Sequence, residues 1–160
     1  MSPQQHGQLV QINVNPEGGV PKHAVPSARI HSEGVEGDRQ RYLEFHGGPL
    51  RAVSLYSAEH IAALKAEGHP ISPGSTGENL TISGLDWEAL GLGDRLRIGA
   101  EVEIEITNHA SPCENIGASF ADGRFKRISQ KVHPGWSRLY ARVLQPGTVR
   151  TGDAVEVSRG

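Results

Sequence analysis

Glu101-Val102-Glu103-Ile104-Glu105-Ile106-Thr107 alternates a carboxylate with a branched apolar side chain at every step. Period-two alternation puts Val102, Ile104 and Ile106 on one face of a strand and Glu101, Glu103 and Glu105 on the other, so one face is in a core and one in water. Similar short runs stand at 8–14, 51–55, 95–98, 137–144 and 154–157. Turn signals separate them: Gly91-Leu92-Gly93-Asp94, Pro146-Gly147 and Gly152-Asp153. Against these strands one longer helix is expected. Ser57 is placed to cap it, Glu59 sits in its first turn, Ile61 and Leu64 share a face, and Gly68 ends it. Shorter helices are expected after Asp86 and after Cys113. Many short strands with few helices predict a mainly β fold, a barrel or sandwich with helical decorations.

At 160 residues with no internal repeat or linker-like tract, the chain is expected to form one domain, 1–160. Twenty glycines and ten prolines fit many turns between short elements. The net charge of −2, with cations scattered, argues against nucleic acid as a partner, which needs a concentrated basic face. The short cluster Arg124 to Arg127 reads as a solvated face. No apolar run approaches the ~18 residues that span a bilayer, and Met1 to Gln8 is polar, so neither a membrane anchor nor a leader is expected and the location expected is cytoplasmic. A single cysteine excludes an intramolecular disulfide and any multi-cysteine zinc site.

That cysteine, Cys113, follows Ser111-Pro112 just beyond the alternating strand. A thiolate there suits a soft transition metal or a persulfide, while a buried inert thiol is the competing reading. The loop 73–80, Pro-Gly-Ser-Thr-Gly-Glu-Asn-Leu, is tight and polar, with glycines that allow close backbone approach. Asn79 in it offers both a donor and an acceptor to a heterocycle edge, although a plain hairpin loop has the same composition and no phosphate-loop lysine is present. In His46-Gly47-Gly48-Pro49-Leu50-Arg51 the glycines mark a turn, Arg51 opens the next strand, and His46 is either a proton carrier or a structural hydrogen-bonding residue. None of the eight histidines forms an H-E-x-x-H pair. Lys22 after Gly18-Gly19-Val20-Pro21, and Arg39 after Gly37-Asp38, are either phosphate partners or ordinary surface cations.

Taken in order, these segments resemble the MOSC family, named for the C-terminal domain of molybdenum cofactor sulfurases. The resemblance runs from about residue 10 to 157, which marks the core of the expected domain. It is carried by Gly18 to Lys22, Gly37-Asp38-Arg39, His46 to Pro49 with Arg51-Ala52-Val53, Gly77 to Leu80, Gly93 to Leu96, Pro112-Cys113, Gly135-Trp136 and the closing Gly147…Gly152-Asp153. Any one of these is weak; eight in register are specific. The resemblance implies a MOSC-type β-barrel that binds the molybdenum cofactor (molybdopterin), with Cys113 as the metal ligand and Lys22 and Arg39 near the pterin phosphate. Asn79 and Ser111 would fall near the pterin, with Arg51 counted among the cofactor contacts.

The activity implied is reduction of small N-hydroxylated compounds. With no flavin or iron–sulfur motif in the chain, electrons would arrive from electron-donor redox proteins. The alternative is a carrier, in which Cys113 passes a persulfide or the cofactor to a client enzyme. Protons for the reduction would come from His109, four residues before Cys113, or from His46. The chain departs from the family pattern at Asn108-His109-Ala110-Ser111, where many members place an arginine shortly before Pro-Cys.

Overall fold

The computed structural model describes residues 5–39 and 49–160, in the order β1 (Gln5–Val14), β2 (His23–Val25), β3 (Ser27–His31), β4 (Gly34–Val35), β5 (Val53–Ser57), α1 (Ala58–Ala66), β6 (Leu80–Ser83), β7 (Arg95–Ile98), β8 (Val102–Ala110), β9 (Arg138–Gln145), β10 (Gly147–Arg150) and β11 (Ala154–Ser158). Seven of these strands pair in the order β11-β7-β8-β9-β5-β6-β1, and β1 pairs back onto β11, so the sheet closes into a barrel. Closure leaves those strands without the open edges that invite aggregation. The β5–β6 pair is parallel and the rest are antiparallel. A parallel pair needs a crossover between its strands, and α1 lies within that connection. β10, β3 and β4 form a separate three-stranded sheet.

The alternation that opens the sequence reading fills the barrel. Val102, Ile104 and Ile106 are buried with Leu96 and Ile98 from β7, Val155 and Val157 from β11, Leu9 and Ile12 from β1, and Leu55 and Leu80 from β5 and β6. A fully buried Leu or Ile contributes about 1.5–3 kcal/mol, which makes this interior the main source of stability. α1 begins as expected: the Ser57 side chain accepts from His60 N at 3.1 Å, and Gly68, with φ +104°, follows the last turn.

Two boundaries differ from the sequence reading. Arg51 does not open a strand; it ends a 3-10 turn, Pro49–Arg51, and β5 begins at Val53. β8 runs on to Ala110, but its register slips between Ile106 and Asn108. Thr107 is the extra residue of this bulge. Its hydroxyl bonds Leu50 O and, at 3.2 Å, Tyr140 O, tying the 3-10 turn to the barrel. Before the bulge Ile106 faces Ala141 inside the barrel; after it Asn108 pairs with Tyr140 and His109 with Leu139. His109 therefore turns to the interior face, a reversal that strict alternation along the strand does not foresee. Among the described residues no helix is long and apolar enough to cross a membrane.

Candidate functional site

A cleft of about 250 Å³ lies on the outside of the barrel wall, where β5 and β9 pair. Ser54 and Tyr140 stand directly opposite one another on that outer face and both line the cleft, with Arg138 two residues along. Three loops raise its sides: Gly19 to Lys22 with Arg39, Thr76 and Gly77, and Ser111 to Ile116. Cys113 lines it, half-buried, in extended backbone at the start of the 3-10 turn Glu114–Ser119.

The first side is held by a nearly buried ion pair. Lys22 Nζ donates to Asp38 Oδ2 at 2.7 Å, the two side chains being 9% and 5% exposed. Asp38 also accepts from Asn15 N at 2.8 Å and from Asn79 Nδ2 at 2.8 Å. Asn79 is fully buried behind the wall: its other amide proton goes to Asn13 O at 3.2 Å, and its carbonyl oxygen accepts from Ser54 N at 3.1 Å. With both donors and the acceptor engaged, Asn79 ties the loops together rather than facing the cleft.

The second side is pinned from below. Glu78 is fully buried and accepts from Gly74 N at 3.0 Å, Thr76 Oγ1 at 2.8 Å and Thr81 Oγ1 at 3.0 Å. Burial pushes its carboxyl above the usual carboxylate range, against the pull of those donors. Gly77 has φ +84°, and a Cβ there would come within 2.8 Å of Val20 Cγ1, so glycine lets this loop close on the first.

Arg138 is the residue that sequence reasoning passed over. It is 8% exposed, lines the cleft, and pairs across the strands with Ala110. Nη1 donates to Thr76 O at 2.8 Å and Nη2 to Ser111 O at 3.4 Å, while the buried Nε has no partner among the described residues. The guanidinium is thus delivered beside Ser111 by the strand that pairs with β8. Its root is fixed by aromatic neighbours. Tyr56 OH donates to Trp136 O at 2.6 Å, Trp87 Nε1 to Ser137 O at 2.9 Å, and the His60 ring lies 4.2 Å from that of Trp136. Burial raises the Tyr56 phenol well above its ordinary value and keeps it a neutral donor. The one signal in the sequence was an arginine near the start of a strand, two residues after Gly135-Trp136.

Of the other expected site residues, Lys22, Arg39, Ser111 and Cys113 are brought together in the cleft. Arg51 stands one step back, its guanidinium 5.5 Å from the centre of the Tyr140 ring. His109 is not on the wall; its Nδ1 lies 3.0 Å from Ser137 Oγ, and burial holds its ring below the ordinary histidine range. His46 lies outside the described residues.

Among the described residues the lining contains Lys22, Arg39 and Arg138 but no Asp or Glu. Since Lys22 is neutralised by Asp38, Arg39 and Arg138 leave the cleft attractive to an anion. Among the described residues no three His, Cys, Asp or Glu gather to hold a metal ion. One thiol with cations around it fits a metal that arrives already chelated on an anionic organic group, which is the chemistry of a pterin cofactor with its phosphate. The residues present fit that group.

A family model described as "MOSC domain" matches residues 43–156. The chain is 35% identical over 147 residues to "Uncharacterized protein YflK" of Bacillus subtilis, covering 90% of this chain and 65% of that one. It is 31% identical over 129 residues to a protein named "Reductase" of Gibberella moniliformis, covering 78% of this chain and 22% of that one. It therefore spans just under two thirds of the first relative and less than a quarter of the second. The crystal structure of the YuaD protein from Bacillus subtilis superposes with a TM-score of 0.74 over 98% of each chain at 21% identity, which shows the same fold.

Proposed function

The chain belongs to the MOSC domain family, and from that footing we propose that its cleft holds a molybdenum cofactor and that the protein reduces N–O bonds of small N-hydroxylated compounds. MOSC domains are associated with this cofactor. The observation that carries the reading is the meeting of the chain's one thiol with a cation-lined wall that is carboxylate-free among the described residues. The match to part of a longer protein named "Reductase" agrees with it.

Within that reading Cys113 provides the thiolate ligand, Arg39 faces the cofactor's phosphate, and Lys22, paired with Asp38, holds the loop beside it. When bound, the cofactor supplies two-electron, oxygen-atom chemistry that no side chain provides. The net reaction breaks the N–O bond of R–NHOH, consumes two electrons and two protons, and leaves R–NH₂ and water. The electrons come from an electron-donor redox protein. Tyr140 lines the cleft and would contact a substrate there, while the Ser54 and Thr76 hydroxyls are already bonded to Gly77 O and to the Glu78 carboxyl. The His109 ring bonds Ser137 and does not line the cleft, so it stands apart from the protons that the reaction consumes.

The test is metal and pterin content after expression in a molybdenum-replete host, with X-ray absorption on wild type and Cys113→Ser. Stoichiometric molybdenum with metal–sulfur scattering that drops in the Ser protein is the expected result. Unchanged scattering at full molybdenum content would remove Cys113 from the metal. Metal-free wild type with a cyanide-releasable sulfur on Cys113 would favour the carrier role instead.

A further inference from the structure

Among the described residues Arg138 is a buried cation without a counter-charge. A guanidinium taken out of water loses strong hydration, and a protein normally returns it through a carboxylate and a full set of acceptors. Lys22 has such an arrangement in Asp38. Arg138 has two backbone carbonyls, one of them at the long distance of 3.4 Å, a buried Nε with no partner among the described residues, and no ion pair. The acid joined to it by hydrogen bonds is Glu78, reached only through Thr76. Burial favours the neutral form of that carboxyl, so it is a poor counter-ion. The guanidinium nevertheless lines the cleft, bonded to the carbonyl two residues before Cys113.

We propose that Arg138 sets the substrate class of the cleft by binding an oxyanion group, carboxylate or phosphate, on the small N-oxygenated substrate held beside Cys113. The inference rests on the reading of the cleft as a reductase site. Its contacts set it apart from Lys22: Arg138 bonds the carbonyls of Thr76 and Ser111, whereas Lys22 is bonded to Asp38. A planar fork with unfilled donors suits an oxyanion better than a neutral amide, because each N–H···O⁻ contact is roughly twice as strong as its neutral counterpart.

The experiment titrates the protein, isolated with its cofactor, with three unreactive probes: benzoate, phenyl phosphate and benzamide. Wild type, Arg138→Met and Arg138→Lys are compared, with folding checked by thermal melting and pterin content measured in each sample. Wild type should bind the two oxyanions about tenfold or more tightly than benzamide. Arg138→Met should lose that preference and Arg138→Lys keep part of it, at equal pterin content. A matched pair of aryl hydroxylamines, one with a carboxylate and one with its amide, should show the same loss as a rise in KM for the acid. No preference in wild type, or one that survives in Arg138→Met, overturns the proposal. A fall in pterin content confined to the Arg138 variants would assign the guanidinium to the cofactor's phosphate and equally overturn it. Wild type lacking molybdenum would sink the reductase reading alone, since the probe titration reads Arg138 without turnover.

Discussion

Two buried cations face one cleft, and they are built differently. Lys22 sits in a closed arrangement: Asp38 neutralises it, and Asn15 and Asn79 hold Asp38 in turn. Arg138 sits in an open one, with two carbonyls and, among the described residues, no acid. A closed ion pair joins loop to loop, here residues 15, 22, 38 and 79 across four stretches of chain. An open one leaves charge available to whatever enters. The difference teaches that burial alone does not tell a structural cation from a functional one. The partner does.

The strongest way to break this contrast is Asp38→Asn. The substitution is nearly isosteric, but the new amide nitrogen would face the Lys22 ammonium and the Asn79 amide, both donors. Removing one partner of a buried pair costs about 3–5 kcal/mol, and a value near 3 is expected here because both groups retain some exposure. Urea unfolding at neutral pH measures it. A loss under about 1 kcal/mol, typical of exposed pairs, would mean that the pair does not brace the wall.

The barrel was legible where one face of a strand is in water and the other in the core. β8 and the Ser57-capped helix are of that kind, since alternation and capping are local signals. The family pattern likewise pointed to Cys113, Lys22 and Arg39, which the fold gathers into one cleft. Two things were not legible. The bulge at Thr107 depends on pairing with β9, so nothing within β8 announces that His109 turns inward. Asn79 looked like a ligand contact because a free amide in a glycine-rich loop has unused donors; only the fold shows Asn13, Ser54 and Asp38 using them. Arg138 was missed for the reverse reason. An arginine at a strand start is ordinary in sequence, and becomes unusual only when folding buries it, here without an acid among the described residues.

The contrast is sharpened by Arg138→Met, whose effect on stability should be smaller than that of Asp38→Asn. The change removes an uncompensated buried charge, which favours folding, and loses the bond to Thr76 O, worth about 1 kcal/mol. The freed carbonyl lies at a cleft where water replaces the donor. The two contributions oppose each other, so the net change should stay within roughly 1 kcal/mol in the same urea assay. A loss as large as that of Asp38→Asn would show Arg138 to be a structural cation as well.

The smallest effect is expected at His109, which the register places on the interior face behind the cleft. Burial lowers its pKa from the ordinary 6.5, because the charged ring is the form that loses hydration. A group depressed in the folded state adds nothing at pH values above 6.5, where both states are neutral. As pH falls below 6.5 the unfolded chain takes up the proton more readily than the folded one, and stability is lost until the folded pKa is passed. His109→Gln keeps a polar group beside Ser137 and cannot titrate. Wild type and variant should therefore differ by a constant at pH 7 to 8 and converge or cross as pH is lowered to 5, with wild type losing ground. His60, also depressed by burial, is present in both proteins and cancels in the difference. The pH–rate profile for N–O reduction should be the same in the two proteins, since His109 does not line the cleft. A stability difference flat with pH would dismiss the burial effect. A displaced acid limb in the rate profile would bring His109 back to the chemistry and make the turn at the bulge a feature of the site rather than of the wall.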